Sequence, residues 1–208
     1  MLNVRTVELQ DAEKLVSIYR PYVEHTAITF DYTVPSVHEF EEKISKSIQS
    51  YPFLVAEEGN DLLGYTYASE FYPKDAYKWT AEITIYLDEK VRGKGVGEKL
   101  YNELEKQLYD RGMCRLTSCI AYPDEGSVSF HEKRGFRKVA HFEKVGYKFT
   151  HWYDVVWYQK DIREDIKQKK RSPQENLNNL AGIDFILIFF GRELQRMDKG
   201  KQKDFHYI

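Results

Sequence analysis

The sequence predicts a mixed α/β fold in one domain that ends near residue 162. Short segments rich in β-branched and aromatic residues alternate along the chain with segments whose apolar residues recur every three or four positions. The chain has 208 residues, of which 42% are hydrophobic, enough for one sizeable core. An aromatic content of 15% argues against disorder. The predicted order of elements is β-α-α-β-β-β-α-β-α-β-β.

The first half of the chain is predicted to hold two helices and four strands. Asp11 is typical of a helix cap, and the residues after it place Leu15, Ile18, Tyr19 and Tyr22 on one face. Ser36 and Glu39 fit a capping box that starts a second amphipathic helix. The strands are predicted at residues 4–7, 53–56, 62–68 and 81–87.

The second half begins with a glycine-rich turn at residues 92–97. A helix follows over 98–110, with Leu100, Leu104 and Leu108 on one face, and Gly112 is placed to end it. The remaining elements are a strand at 115–121, a short helix at 127–134, a strand with a turn at 136–146, and a strand at 152–158. Residues 163–208 form a C-terminal extension of unknown role. For it we expect a solvated linker plus an element that docks on the body, and a membrane-surface segment or partner-binding tail are the alternatives.

Composition and charge exclude several classes of protein. The formal net charge of -2 gives no overall attraction to nucleic acid or an anionic membrane. Cys114 and Cys119 lack metal-ligand spacing and are expected to be reduced thiols in a cytoplasmic protein. The longest apolar run, residues 185–190, is far shorter than the roughly 20 residues that cross a bilayer. We therefore expect neither a secreted nor a membrane-spanning protein.

The segment from Glu82 to Leu108 carries the clearest chemical signal. A strand, the turn Arg92-Gly-Lys-Gly-Val-Gly97 and an amphipathic helix would bring backbone N–H groups together at the positive end of the helix. Such a turn suits a diphosphate, although a glycine turn that merely starts a helix remains the plainer interpretation. The spacing fits neither a P-loop nor a Rossmann fingerprint. A diphosphate held without nucleoside triphosphate apparatus is consistent with coenzyme A.

The same turn matches the (Gln/Arg)-x-x-Gly-x-(Gly/Ala) motif of the GNAT superfamily of N-acetyltransferases, and residues 127–136 resemble its second signature. Residues 51–57, residues 75–82, and Gly146-Tyr-Lys148 followed by Trp152 and Asp154 resemble the phosphinothricin and methionine sulfoximine acetyltransferase group. The resemblance runs from about residue 3 to 162. It implies a GNAT-like mixed, mostly antiparallel sheet flanked by helices, with a splayed cofactor-binding cleft. It also implies acetyl-CoA as co-substrate, no metal, and a homodimer.

The resemblance further implies which residues hold the cofactor. The strand end would pair with the pantetheine arm, the backbone N–H near Ile85 would polarise the thioester carbonyl, and the glycine turn would hold the pyrophosphate. The implied cofactor-binding residues are Ile85, Tyr86, Leu87, Arg92, Gly93, Lys94, Gly95, Val96, Gly97, Glu98 and Asp124. The family commonly has asparagine where this chain has Asp124. An ionised aspartate cannot donate, but it could accept from a cofactor amide or cap the helix at Ser127.

Two residues are candidates for catalysis. Glu82 stands where the resembling group has a glutamate, and it would accept a proton from the substrate ammonium if burial raises its pKa. His131 stands where many members have a tyrosine that protonates the departing thiolate, and the close subgroup tends to have histidine there. A neutral histidine could support the sulfur or a water, or it could be a packed residue at a helix end. By the same resemblance Phe30, Tyr72, Lys74 and Trp79 would border the acceptor pocket, with Lys74 pairing with a carboxylate or phosphinate.

The leading hypothesis is an enzyme that transfers acetyl from acetyl-CoA directly to the α-amine of a small amino acid analogue of the phosphinothricin or methionine sulfoximine type. No acyl-enzyme is needed, because a positioned amine and a thioester already form a reactive pair. Alternatives are transfer to another amine or a protein N-terminus, and a non-catalytic acyl-CoA-binding module. No membrane span or nucleic-acid partner is expected.

Overall fold

The computed structural model describes residues 1–91 and 93–163, and those residues fold around one seven-stranded sheet. The strands are β1 (Asn3–Thr6), β2 (Phe53–Glu58), β3 (Asp61–Glu70), β4 (Thr80–Leu87), β5 (Arg115–Tyr122), β6 (Arg137–Lys148) and β7 (His151–Asp161). The helices are α1 (Ala12–His25), α2 (Val37–Ser47), α3 (Val96–Asp110) and α4 (Glu125–Glu132). The order of elements is the one that the sequence predicts.

The sheet is mixed and mostly antiparallel, as expected. Its strand order is β1-β2-β3-β4-β5-β7-β6, and β4 with β5 is the parallel pair. Parallel neighbours need a crossover connection, and α3 supplies it between β4 and β5. Within the described ranges, no helix is long and apolar enough to span a membrane.

Apolar clusters cover both faces of the sheet. On one face α1 packs its predicted apolar residues, among them Leu15 and Tyr19, and α2 packs Phe40 against β2 and β3. On the other face α3 places Leu100, Leu104 and Leu108 against the sheet. Alternate residues of β4 serve the two sides: Tyr86 belongs to the first cluster, whereas Ala81 and Ile83 belong to the second.

The helix caps differ in part from the prediction. Ser36 and Glu39 form the predicted capping box of α2. Asp11 precedes α1, but its carboxylate makes no cap bond to that helix. It accepts instead from the Arg5 guanidinium, at 2.8 and 2.9 Å, and from the Glu8 N–H at 2.8 Å. The Asp11 carboxylate therefore binds Arg5 rather than the first N–H groups of α1.

Most element boundaries shift by one to three residues, and three of these differences have a visible local cause. Helix α3 begins at Val96 rather than residue 98, because Gly95 adopts φ +80° and serves as its cap. Helix α4 begins at Glu125 rather than 127, since the Asp124 carboxylate accepts from the Ser127 N–H at 3.0 Å. The predicted strand and turn at 136–146 form one long strand, β6, whose register shifts between Phe142 and Gly146 absorb the irregularity.

The parallel pair separates along its length. Its ladder runs from Thr80 opposite Arg115 to Glu82 opposite Thr117. Beyond that rung the described residues of β4 and β5 share no register pair, while β4 stays paired with β3 up to Leu87. The sheet therefore opens into a cleft at Glu82, which is the splay that the resemblance implies.

Candidate active site

The opening between β4 and β5 continues into a cavity of about 670 Å³. Its walls come from β4 and β5, from α4 and Gly93, and, on the other side, from α1, α2, β3 and the segment between the two helices. The residues of β4, β5 and α4 that line it are Glu82, Ile83, Thr84, Ile85, Tyr86, Leu87, Ser118, Cys119, Ile120, Ala121, Gly126, Ser127, Phe130 and His131, with Asp124 preceding α4. One cavity thus connects the glycine turn with the strand split.

Glu82 lies at the point where the strands part. It occupies the last paired rung, opposite Thr117, and its carboxylate reaches the cavity. Burial raises the pKa of this carboxyl above its ordinary value. A carboxylate with a raised pKa is a better proton acceptor, so the sequence candidate for a base stands in a suitable environment.

The backbone of β4 turns one edge toward the cleft. The Asp88 N–H donates to the Leu63 carbonyl of β3 at 2.9 Å, so by the alternation of an antiparallel ladder Leu87 and Ile85 direct their backbone groups the other way. Those of Leu87 are already bonded, since its N–H donates to the Tyr22 hydroxyl at 3.2 Å and its carbonyl accepts from the same hydroxyl at 2.7 Å. The expected open strand end is therefore at Ile85, and Leu87 is paired with Tyr22.

The glycine turn presents a helix start to the cavity. Gly93 and Gly95 adopt φ +78° and +80°, conformations that residues with a Cβ rarely take. A Cβ on Gly97 would lie 3.2 Å from Leu87 and 3.3 Å from Phe130, so this glycine lets α3 begin close to β4 and α4. The first amides of a helix have no intrahelical acceptor and suit an anion. Lys94 and Glu98 are exposed beside them, and Arg92 lies outside the described residues.

His131 is buried in the cavity wall. Its Nδ1 lies 2.7 Å from the Ser127 carbonyl, and the ring packs at right angles to Phe136. Burial lowers the pKa of the imidazole, which favours the neutral form. Because a carbonyl only accepts, Nδ1 carries the proton and Nε2 is an acceptor. The neutral ring cannot protonate a thiolate through Nε2.

Cys119 also lines the cavity. Burial and the Glu82 charge raise the pKa of its thiol to about 11. The thiol is therefore protonated at neutral pH and is a poor nucleophile. Cys114 is buried elsewhere in the fold.

The predicted acceptor residues are only partly brought together. Phe30 lines the cavity, whereas Tyr72, Lys74 and Trp79 are not among its lining residues. Lys74 lies on the surface, with its ammonium 5.6 Å from the centre of the Tyr72 ring.

Sequence reasoning missed several lining residues on the same side of the sheet. These are Tyr19, Tyr22, Ile28, Thr29, Asp31, Lys43 and Tyr67. None stands in a recognised motif, and an apolar helical face was the only signal for the two tyrosines of α1. Lys43 lies on α2, for which the sequence predicted only an amphipathic helix.

The segment between α1 and α2 is held by the end of β6. The buried Lys148 ammonium donates to the carbonyls of Thr26 and Thr29, each at 2.8 Å. The Tyr32 hydroxyl donates to the Tyr147 carbonyl. The Phe30 ring lies so near Gly146 that a Cβ there would stand 2.2 Å from it. The motif 146–148 therefore fixes one wall of the cavity.

Replacing Gly146 by alanine is expected to destabilise the protein by about 1–3 kcal/mol, because the added methyl group overpacks the Phe30 ring. Thermal unfolding measures the change. Val37→Ala is the control, since Val37 is 39% exposed at the start of α2 and its truncation should stay within about 0.5 kcal/mol. Equal melting temperatures for Gly146→Ala and wild type would contradict this packing.

Two parted parallel strands, a glycine turn at a helix start and a half-buried carboxylate define an N-acyltransferase that takes its acyl group from a diphosphate-bearing carrier. The chain belongs to the acetyltransferase (GNAT) domain family, whose profile matches residues 4–157. It is an N-acetyltransferase of that family.

Named relatives agree with this assignment. The chain is 31% identical to a phosphinothricin N-acetyltransferase of Streptomyces coelicolor, over 77% of this chain and 96% of the relative. It is 27% identical to an L-methionine sulfoximine/L-methionine sulfone acetyltransferase of Salmonella typhimurium, over 78% and 96%. A phosphinothricin acetyltransferase of Sinorhizobium meliloti, solved with acetyl-CoA, superposes with a TM-score of 0.77 at 29% identity, covering 83% of this chain and 94% of that one.

Proposed function

We propose that the protein transfers the acetyl group of acetyl-CoA to the α-amine of a small amino acid analogue of the phosphinothricin, methionine sulfoximine or methionine sulfone type. The observation that carries the proposal is the position of Glu82, a half-buried carboxylate at the split between β4 and β5 that faces the cavity. The relatives that act on these compounds support the choice of acceptor.

The cleft has features that fit acetyl-CoA. The helix start after Gly95 offers backbone N–H groups to the diphosphate, and Lys94 adds positive charge beside them. The edge of β4 at Ile85 offers backbone groups to the pantetheine amides, as an added strand would. Both features open on the cavity that holds Glu82. Arg92, Val96, Gly97 and Glu98 belong to the same proposed diphosphate site, with Tyr86 and Leu87 beside the pantetheine.

The reaction follows from the groups in the cleft. The acceptor arrives largely as ammonium, and Glu82 takes one of its protons directly or through a water. The amine then attacks the thioester carbonyl, so that a C–N bond forms and negative charge develops on the oxygen. The Ile85 N–H would stabilise that charge. The C–S bond breaks, the attacking nitrogen loses its second proton to the departing coenzyme A thiolate, and the acetylated amine and the free thiol remain.

His131 has a supporting role in this scheme. Its neutral ring, with the proton on Nδ1, offers Nε2 as an acceptor to a water or to the thiol formed at the end of the reaction. Asp124 caps α4 and borders the cavity, so it supports the cofactor by fixing this helix.

The experiment is thiol release from acetyl-CoA with a panel of amines. Phosphinothricin, methionine sulfoximine and methionine sulfone should release thiol faster than a polyamine or a peptide with a free N-terminus. Faster thiol release with a polyamine or a peptide would show that the acceptor is not a small amino acid analogue. Binding of acetyl-CoA without thiol release from any amine would favour a non-catalytic module.

We also infer a cytoplasmic homodimer from the resemblance. Strand β6 forms one edge of the sheet and exposes Val139, Phe142 and Val145, which suits contact with a second copy. Light scattering after size exclusion should give twice the mass of 24.7 kDa. A monomer mass at micromolar concentration would contradict the dimer.

A further inference from the structure

We propose that Lys43, held by Tyr67, binds the carboxylate of the acceptor, so that the protein selects amines that carry an anion. This inference rests on the proposed acetyl transfer and assigns a specificity residue to the acceptor end of the same cavity. It moves the expected role of Lys74 to a different lysine on a different element.

The side chain of Lys43 points from α2 to the cavity wall. Its ammonium donates to the Tyr67 hydroxyl at 2.8 Å and lies 4.2 Å from the centre of that ring. It also lies 5.5 Å from the centre of the Phe40 ring. These contacts fix the ammonium in place while the hydroxyl takes only one of its three N–H groups.

Lys43 is the one lysine or arginine among the described residues that line the cavity. No carboxylate of the described ranges forms an ion pair with it. Two other lysines of the described residues have more partners, since Lys160 pairs with Glu105 at 2.6 Å and the buried Lys148 donates to two carbonyls. Lys43 therefore has no carboxylate partner among the described residues, and its remaining N–H groups can donate to an anion that enters the cavity.

The strand register places Tyr67, which holds this ammonium, near the base. Tyr67 is opposite Thr84, and Ser69 is opposite Glu82, so Tyr67 and Glu82 share a face as diagonal neighbours. Diagonal neighbours are about 7–8 Å apart at their backbones. An α-amino acid carries its amine and its carboxylate on one carbon, and such a molecule can place the amine at Glu82 and the carboxylate at Lys43.

The charges around the cavity discriminate in the same direction. Glu82 and Lys43 line it together, and the Asp31 carboxylate that also lines it already accepts from the Tyr19 hydroxyl at 2.7 Å. A zwitterion satisfies both signs, whereas a polyamine would bring a second positive charge toward Lys43 at a cost in binding. The cavity therefore favours an amino acid over a polyamine.

The experiment compares Lys43→Met with Lys74→Met, using methionine sulfone and its decarboxylated counterpart as acceptors. Methionine sulfone is chosen because its carboxylate is its only anion. Lys43→Met should lower kcat/KM for methionine sulfone about 10- to 100-fold, chiefly through KM, and should change the decarboxylated amine less than about twofold. Lys74→Met should leave both acceptors close to wild type, and the acetyl-CoA affinity should be unchanged in both variants.

The outcomes distinguish failure of the Lys43 subsite from failure of the proposed acetyl transfer. Turnover of methionine sulfone that is unaffected by Lys43→Met, or an equal loss with both acceptors, would overturn the subsite alone. A loss confined to Lys74→Met would return the role to Lys74. If the wild-type protein acetylates no amine, the proposed function fails and the subsite fails with it.

Discussion

Glu82→Gln is expected to lower kcat/KM for the acceptor amine by about 10²- to 10⁴-fold, the range that a positioned general base contributes. Glutamine keeps the size of the side chain but cannot accept the ammonium proton. The residue stands at the rung where β4 and β5 part, away from the glycine turn, so the affinity for acetyl-CoA should not change. Steady-state thiol release and calorimetry measure the two quantities.

The pH profile gives a second readout of the same residue. Burial raises the pKa of Glu82, and the ionised form is the active one. Activity of the wild type should therefore rise with pH as this carboxyl loses its proton, and the rise should occur above the usual glutamate range. This rise in activity should be absent from Glu82→Gln. Glu70→Gln is the matched control, because Glu70 lies on β3 opposite Ala81, one rung away on the other face. Full activity of Glu82→Gln would contradict the assignment.

Gly95→Val should weaken acetyl-CoA binding about tenfold or more. Gly95 has φ +80° at the start of α3, and a β-branched residue is strained there by about 1–2 kcal/mol. The loop relieves this strain by leaving that conformation, which turns the first amides of the helix away from the diphosphate. To bind acetyl-CoA, the variant must return to the strained conformation, so the strain energy is subtracted from the binding free energy. A loss of 1.4 kcal/mol corresponds to about a tenfold higher Kd.

The control for this variant is Gly59→Val. Gly59 has φ +63° in the turn between β2 and β3, lies outside the cavity lining, and like Gly95 would meet nothing within 4 Å of an added Cβ. Both substitutions should lower the melting temperature, and only Gly95→Val should raise the Kd for acetyl-CoA. An equal Kd for the two variants would show that the glycine turn does not hold the carrier.

Much of the fold is encoded locally and was predicted. Apolar residues at helical spacing, such as Leu100, Leu104 and Leu108, and the capping box at Ser36 specify their elements within a few positions. The glycine turn is also a local signal, because positive φ at Gly95 needs glycine and the helix follows at once. The boundaries of α3 and α4 differed by two residues because caps shift a helix start without changing its apolar face.

The acceptor end of the site was not predictable in the same way. Lys43 and Tyr67 are 24 positions apart, and they meet only because α2 packs over β3. Lys148 reaches carbonyls 119 and 122 positions away, and Tyr22 reaches Leu87 across 65. Lys74 was expected at the acceptor from the family resemblance, and the fold leaves it exposed on the surface. Such contacts arise from the packing of elements that are distant in sequence, so a local sequence pattern cannot predict them.

The most direct measurement is a crystal structure of the protein with a non-reactive acetyl-CoA analogue. We expect the diphosphate against the backbone of residues 93–98, the pantetheine along β4 at Ile85, and the acyl carbon in the cleft beside Glu82. An analogue seated outside the split between β4 and β5, or with its acyl end turned away from Glu82, would contradict the account.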